Sequence, residues 1–168
     1  LMLSADDYIK ILGLNSHVEG GAFKEIYRAE LLLPQIILPE TFKGSRHAAT
    51  SIYFLLKYGQ FSAFHRIASD ECWHFYDGAP LHIYEITTEG NLITHILGRN
   101  IVQGETFHTV IKAGSWFGSR CETENAFSLV GCTVAPGFDF EDFELGSRQN
   151  LTSQYPQHAK LIEELTPN

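Results

Sequence analysis

The middle of the chain alternates apolar and polar positions in a way that predicts β-strands. Between Ala48 and Val134, short segments rich in aromatic and β-branched residues are separated by turn sequences such as KYGQ, GAP and TEGN. Short strands at this spacing are typical of an antiparallel sandwich or barrel. The candidate strands are TSIYFLL, FSAFHRI, ECWHFYD, LHIYEIT, LITHILG, TFHTVIK, SWFGSRC and AFSLVGCTV.

Helical patterns stand at the two ends of the chain. Ser4 followed three residues later by Asp7 matches a capping box, and Gly13 suits the end of a short helix. The tail turns helical from Ser147, with an apolar face formed by Leu161, Ile162 and Leu165. Between the first helix and the strand region, alternation of Phe23, Glu25 and Tyr27 with their neighbours predicts one further strand.

Composition and charge narrow the class of protein. The 168 residues carry a net charge of −8, which argues against nucleic-acid partners and against an anionic membrane surface. No apolar run is long enough to span a bilayer, and the N-terminus lacks the pattern of a signal peptide. The cysteines are few and widely spaced, so we expect reduced thiols and a cytoplasmic protein; they are Cys72, Cys121 and Cys132.

One strand pair carries the candidate chemistry. The stretch GQFSAFHRIASDECWHFYDG places His65 six residues after Gly59, Glu71 six residues later, and Gly78 seven residues after that. Inward-facing His and Glu side chains on neighbouring strands are typical of small β-barrels that bind a metal or a small molecule.

This spacing resembles the first motif of the cupin superfamily, whose members usually carry a second His where this chain has Ile67. The second cupin motif is degraded. When it is aligned on Gly114, its Pro, His and Asn positions hold Lys112, Phe117 and Cys121. The resemblance implies an all-β fold, an antiparallel double-stranded β-helix or cupin jelly-roll barrel with short terminal α-helices, over residues 1–168 as a single domain.

Three further segments resemble one small cupin branch that is catalogued as a domain of unknown function. They are HVEGGAF near the N-terminus, GCTVAPGFDFEDFEL from Gly131, and YPQHAKLIEEL near the C-terminus. This resemblance covers almost the whole chain. It implies that the protein is a homodimer, and we expect the strand after Gly21 to contribute to the interface. It supplies no established reaction.

The resemblance also indicates which side chains face the barrel mouth. Side chains of a strand alternate between faces, so Trp73 and Phe75 share the side of Glu71, and Ser119 shares the side of Phe117. We expect Tyr53, on the strand before that of His65, to face the interior of the barrel as well. The predicted catalytic residues are His65, Glu71 and Tyr53. The predicted ligand-binding residues are Trp73, Phe75, Phe117, Ser119 and Ile67.

A bound metal is not expected. A typical cupin metal centre takes three His and one Glu, and two of those positions hold the apolar side chains Ile67 and Phe117. We therefore predict no cofactor. The other interpretation of His65 and Glu71 is structural: a buried His under aromatic rings, and a buried carboxylate that would need a partner.

Two other segments allow both a structural and a functional interpretation. In HVEGGAFKEIYR, the paired glycines suit a bend into an edge strand, whereas His17, Glu19 and Arg28 would suit a polar rim of the pocket. In PGFDFEDFEL, the phenylalanines would anchor the segment while the acids meet water, or Asp139 or Glu141 would reach back to the site.

Three functions remain open at the level of sequence. The first is a metal-independent isomerase or epimerase acting on a sugar-like or keto substrate, with His65 as general base, Glu71 as its partner and Tyr53 as acid. The second is a non-catalytic cupin that binds or stores a small ligand. The third is a metal-dependent cupin enzyme with atypical ligands. No phosphate-binding Gly loop or basic cluster indicates a nucleotide.

Overall fold

The computed structural model describes residues 2–16 and 21–168, so the predictions on His17 and Glu19 lie outside the described residues. Three α-helices are α1 (Ala5–Leu12), α2 (Arg148–Gln154) and α3 (Ala159–Glu164). The strands are β1 (Asn15–Ser16), β2 (Ala22–Arg28), β3 (Leu32–Leu33), β4 (Arg46–His47), β5 (Thr50–Lys57), β6 (Phe61–Arg66), β7 (Asp70–Gly78), β8 (Leu81–Ile86), β9 (Leu92–Leu97), β10 (His108–Ile111), β11 (Trp116–Cys121), β12 (Phe127–Ala135) and β13 (Glu144–Leu145).

Two antiparallel sheets form the body of the protein. One has the strand order β1-β2-β5-β12-β7-β10 and the other β13-β6-β11-β8-β9, with β3 and β4 as a separate small hairpin. The predicted antiparallel jelly roll is confirmed, and each of the eight candidate strands overlaps an observed strand. The sheets do not merge into one closed hydrogen-bonded barrel in the described residues; Leu97, at the end of β9, forms an isolated bridge with Thr106, which precedes β10.

The glycines of the first motif stand where the chain turns sharply. Gly59 has a φ of 86° in the turn before β6, and Gly78 has a φ of 91° at the end of β7. Side chains disfavour this left-handed region, and a Cβ at Gly78 would also collide with the carbonyl oxygen of Phe127. These two glycines therefore set the ends of the strand pair that carries His65 and Glu71.

The terminal helices form as the sequence predicts. Ser4 and Asp7 make the reciprocal hydrogen bonds of a capping box, and Gly13 ends α1 in the left-handed conformation. Ser147 caps α2. Helices α2 and α3 cover the outer face of the five-stranded sheet, where Leu151, Ile162 and Leu165 pack with Phe64, Ile86 and Trp116. None of the described helices has the length and apolar character needed to cross a membrane.

The space between the two sheets is filled unevenly. A cluster of buried side chains that includes Trp73, Phe117, Leu81, Ile83 and Leu97 packs one part of it densely. The remaining part is open and is bordered by β2, β5, β6, β7, β12 and the turn that follows β12. This uneven filling leaves a cavity between the two sheets.

Candidate functional site

A cavity of about 570 Å³ lies between the two sheets. Its volume is within the range of small-molecule sites. Most of its walls are apolar, and its polar groups are few. The lining residues are Phe23, Glu25, Arg28, Thr50, Ile52, Phe54, Phe61, Ser62, Ala63, His65, Ile67, Glu71, Cys132, Val134, Phe138, Asp139, Phe140, Phe143 and Leu145.

His65 lies at the buried end of the cavity in a fixed tautomer. Its Nδ1 is 2.8 Å from the carbonyl oxygen of Ala63. Because a carbonyl oxygen only accepts hydrogen bonds, Nδ1 carries the proton and Nε2 keeps its lone pair. The ring packs between Phe117, at 4.2 Å between centroids, and Phe143, at 5.3 Å. Burial lowers the pKa of His65, so the imidazole is neutral at pH 7.

Glu71 is a buried carboxyl that also lines the cavity, and it is 9% exposed. Desolvation raises its pKa from the usual 4.5 to about 8, against a smaller lowering by a hydrogen bond with the Cys132 thiol. Cys132 is paired with Trp73 on the neighbouring strand, which puts it diagonally opposite Glu71. Burial and the nearby Glu71 in turn raise the pKa of Cys132. Both groups are therefore protonated at neutral pH.

An aromatic turn covers one side of the cavity. Residues 138–143 follow β12, and the rings of Phe138, Phe140 and Phe143 pack against one another at centroid distances of 5.0 to 6.4 Å. Phe143 also stacks on His65. Phe140 lines the cavity although it is 77% exposed. The turn therefore forms the outer wall of the site.

A buried arginine holds this turn in place. The guanidinium of Arg46 donates to both carboxylate oxygens of Asp142, each at 2.7 Å, and both side chains are 4% exposed. Glu141 makes a longer contact with the same guanidinium and remains 63% exposed. Of the two acids considered in the sequence, Asp139 lines the cavity and Glu141 faces Arg46 and solvent.

Charged groups in the cavity wall are confined to its exposed end. Arg28 donates to Glu25 at 2.6 Å and to the carbonyl oxygen of Phe138 at 3.3 Å. The Arg28 and Glu25 side chains are 36% and 43% exposed, and Asp139 is 40% exposed. We call Glu25, Arg28 and Asp139 the mouth of the cavity. We call the part of the cavity at His65, which is partly buried, and Glu71, which is 9% exposed, its enclosed end.

The structure brings together some of the residues singled out in the sequence and not others. His65, Glu71 and Ile67 line the cavity. Trp73 and Phe117 belong to the dense core beside it, with 3% and 1% exposure, and Phe75 packs partly buried against that core. Ser119 is fully buried on β11. Tyr53 packs in the cluster beneath α1, with its ring against Tyr76.

Sequence reasoning did not single out Cys132, Arg46 or Glu25 as site residues. Cys132 was placed only among the expected buried thiols, and Arg46 follows a loop without any motif. The alternation of Phe23 and Glu25 in the predicted strand was the available signal for Glu25, because both side chains line the cavity. Nothing in the local sequence indicated that Arg46 would pair with Asp142, which is 96 residues away.

The residues at this site do not fit a cupin-type metal centre. His65 and Glu71 are present, but the other two ligand positions hold Ile67 and Phe117, which supply no donor atom and are 5% and 1% exposed. In the described part of the chain, no three His, Cys, Asp or Glu side chains are grouped closely enough to hold a metal ion.

Comparison with known proteins agrees with this architecture. Over 99% of both chains, the protein is 43% identical to a protein from Shewanella oneidensis, and the TM-score to its crystal structure is 0.86. It is 31% identical to a hypothetical protein from Leishmania major, with a TM-score of 0.90 over 99% of this chain and 100% of that chain. No curated protein gave a significant match.

More distant structures share the fold alone. Oxalate decarboxylase from Bacillus subtilis gives a TM-score of 0.56 at 13% identity, over 90% of this chain and 36% of that chain. At the level of sequence, the profile of the cupin superfamily family DUF985, Cupin_5, matches residues 6–146. The chain therefore belongs to this family of the cupin superfamily.

Proposed function

We propose that the cavity binds a small carbonyl compound and that His65 and Glu71 transfer protons next to its carbonyl group, as in an isomerase or epimerase. The observation that carries this proposal is a pair of complementary groups in one apolar cavity. His65 offers an unprotonated nitrogen, and Glu71 offers a carboxylic proton. In a site shielded from water, these few polar groups interact strongly with a ligand.

His65 is assigned as the general base. The hydrogen bond from Nδ1 to the Ala63 carbonyl leaves Nε2 as the nitrogen able to take a proton from carbon. Contacts with Phe117 and Phe143 restrict rotation of the ring. The lowered pKa of His65 keeps it in the neutral form that a base requires.

Glu71 is assigned as the general acid. Its pKa of about 8 leaves it protonated at pH 7, so it can donate to a carbonyl oxygen while the enol forms. Removal of a proton from the α-carbon by Nε2 and donation of the Glu71 proton to oxygen give a neutral enol. The two transfers then run in reverse. Return of the proton to the other face of the α-carbon, or to a different carbon, gives the isomer. Tyr53, the acid suggested by the sequence, packs beneath α1, so Glu71 replaces it in this proposal.

The proposal is tested by hydrogen exchange at carbon, which needs no knowledge of the product. The protein is incubated in D₂O with a panel of enolisable compounds, namely an aromatic ketone, an aliphatic ketone and a ketose, and deuterium incorporation is followed by NMR. We expect enzyme-dependent exchange with at least one of them. His65→Asn keeps an amide donor for the Ala63 carbonyl and removes the base, so exchange should fall by about 100-fold or more.

Tyr53→Phe is the matched control. Because Tyr53 lies outside the cavity lining, this variant should exchange at the rate of the native protein. Loss of exchange in Tyr53→Phe would return the acid role to that tyrosine. Ligand binding that depends on His65, with no exchange for any compound of the panel, would replace the enzyme by a non-catalytic binding cupin.

We also propose that the protein is a homodimer that pairs through β2. In the described residues, β1 pairs only with Ala22 and Phe23, which leaves the rest of that edge of β2 without a strand partner. Exposed apolar side chains lie on β2 and in the segment that follows: Ile26, Tyr27, Leu31, Leu32, Ile36 and Ile37. Unpaired edges of this kind favour association. Light scattering should give twice the chain mass of 18.9 kDa, and Tyr27→Lys should shift it towards the monomer.

A further inference from the structure

The cavity contains too few polar groups for a heavily hydroxylated ligand. Apart from the charged side chains of the mouth, its lining offers His65, Glu71, the Cys132 thiol and the hydroxyls of Ser62 and Thr50. The hydroxyl of Thr50 already accepts a hydrogen bond from the backbone N–H of Phe138 at 3.0 Å. A free sugar carries a hydroxyl on nearly every carbon, and most of these would lose water without gaining a partner. Each hydroxyl left unpaired costs about 1–3 kcal/mol.

The walls favour a flat or branched apolar body instead. Aromatic rings line the space between the enclosed end and the mouth, and they include Phe54, Phe61, Phe138 and Phe143. Phe143 lies nearly parallel to the His65 ring, with an interplanar angle of 29°. Contact with aromatic faces stabilises planar apolar groups and gives little to a group that needs hydrogen bonds.

The distribution of charge adds a second restriction. No described cationic side chain lines the enclosed end, where His65 is neutral and Glu71 is protonated. A carboxylate or phosphate that entered this end would be buried without a counterion. The guanidinium in the lining, that of Arg28, stands at the mouth and is already paired with Glu25. The end of the ligand that meets His65 is therefore uncharged.

From the wall composition and the placement of charge, we infer that the ligand is a neutral, enolisable ketone or aldehyde with an aromatic or branched aliphatic body, bound with its carbonyl inward. This inference rests on the proposed function, because it names the substrate class of that same site. It excludes free sugars and sugar nucleotides as the natural ligand.

Three probes of similar size separate these possibilities by calorimetry at pH 7: 4-phenylbutan-2-one, 3-phenylpropanoate and D-fructose. We expect the ketone to bind the most tightly. The carboxylate differs from it by one charge at the inner end and should bind at least about tenfold more weakly. Fructose should bind at least about 100-fold more weakly, because two or more hydroxyls would stay unpaired.

Variants separate failure of this inference from failure of the proposed function. Phe143→Ala should weaken binding of 4-phenylbutan-2-one by about tenfold or more, and His65→Asn should weaken it as well.

Fructose or 3-phenylpropanoate binding as tightly as the ketone, with affinity lost in His65→Asn, would overturn the substrate class and leave the site and its proposed chemistry standing. Tight ketone binding that depends on Phe143 and His65 but gives no deuterium exchange would support the ligand class and overturn the proposed catalysis. A ketone bound equally by all variants would overturn both.

Discussion

Two buried glutamates, one in each of the two main sheets, meet very different surroundings. Phe117 is paired with His65 on one neighbouring strand and with Glu85 on the other. Glu85 is 3% exposed and accepts a hydrogen bond from Nε2 of His95 at 2.8 Å, while Nδ1 of His95 is 2.7 Å from the Thr109 hydroxyl. Glu71, which lines the cavity, is 9% exposed, and its partner within the described part of the chain is the Cys132 thiol.

The difference shows how similar residue types serve different purposes. The Glu85–His95–Thr109 chain links a carboxyl, an imidazole and a hydroxyl through two hydrogen bonds, so that both ring nitrogens of His95 are paired. Such a network stabilises the packing of β8, β9 and β10. In the cavity, the described residues leave Nε2 of His65 and part of the Glu71 carboxyl available to a ligand. Incomplete pairing inside a cavity is therefore the better indicator of a functional site than the residue types themselves.

The largest expected effect separates the two glutamates by activity. Glu71→Gln cannot supply a proton to the carbonyl oxygen, so deuterium exchange with the best compound of the panel should slow by about 100-fold or more. Glu85→Gln keeps an oxygen acceptor for His95 and should exchange at a rate within about twofold of the native protein. Equal losses in the two variants, measured by NMR on folded protein, would contradict the functional distinction between Glu71 and Glu85.

The pH dependence of stability gives the next effect. The pKa of Glu71 is about 8 in the folded protein and 4.5 in its usual, unfolded environment. Between pH 4.5 and pH 8, Glu71 is therefore protonated in the folded state and ionised in the unfolded state. Stability from this group is therefore present at low pH and is lost as pH rises from about 4.5 to 8. The total loss is on the order of 5 kcal/mol.

Glu71→Gln removes this titration and keeps the shape of the side chain. The free energy of unfolding of the variant relative to the native protein, measured with urea, should increase steadily from pH 5 to pH 8. Taking the difference between the two proteins cancels the opposite contribution of His65, whose lowered pKa costs stability as pH falls below 6.5. A difference that stays constant with pH would mean that Glu71 is ionised in the folded protein.

Removing Glu85 should lower the free energy of unfolding by less than the pH-dependent loss from Glu71, and it should do so at all pH values near neutrality. Glu85→Leu leaves the Nε2–H group of His95 without its acceptor, at a cost of about 2 kcal/mol. The double variant Glu85→Leu, His95→Leu removes both partners and should recover part of that loss. Urea denaturation at pH 7 measures both values. No loss in the single variant would show that the Glu85–His95–Thr109 chain contributes little to stability.

The sequence predicted the fold well because its signals are local. Period-two alternation, turn glycines and the capping box of Ser4 and Asp7 each act within a few residues, and each is present in the structure. The spacing of His65 and Glu71 similarly follows from the length of the turn between β6 and β7. These features require no knowledge of distant parts of the chain.

The composition of the cavity depended on information that alternation does not contain. The period of a strand tells which face a side chain occupies but not how far along the barrel it lies. Trp73 and Phe117 were assigned to the ligand site by their expected face, and in the structure they fill the core beside the cavity. The turn at 138–143 closes the site through Arg46, which is distant in sequence and buried only in the folded protein. Such long-range pairs leave no local pattern.

The smallest effect tests the contact between Glu71 and the Cys132 thiol. The Cys132 thiol donates to the Glu71 carboxylate and so lowers the pKa of that carboxyl against the larger effect of desolvation. Cys132→Ala removes the donor, so the pKa of Glu71 should rise further. The rise should correspond to the loss of one hydrogen bond to the carboxylate, about 1 kcal/mol. Cys132→Ser keeps a donor, and the pKa of Glu71 should not rise. The carboxylic C=O stretch, followed by difference infrared spectroscopy across pH and assigned with Glu71→Gln, measures the titration directly. If Cys132→Ala left the midpoint unchanged or lowered it, the thiol would not be a partner of Glu71, and the contrast with Glu85, which is hydrogen-bonded to His95, would be greater still.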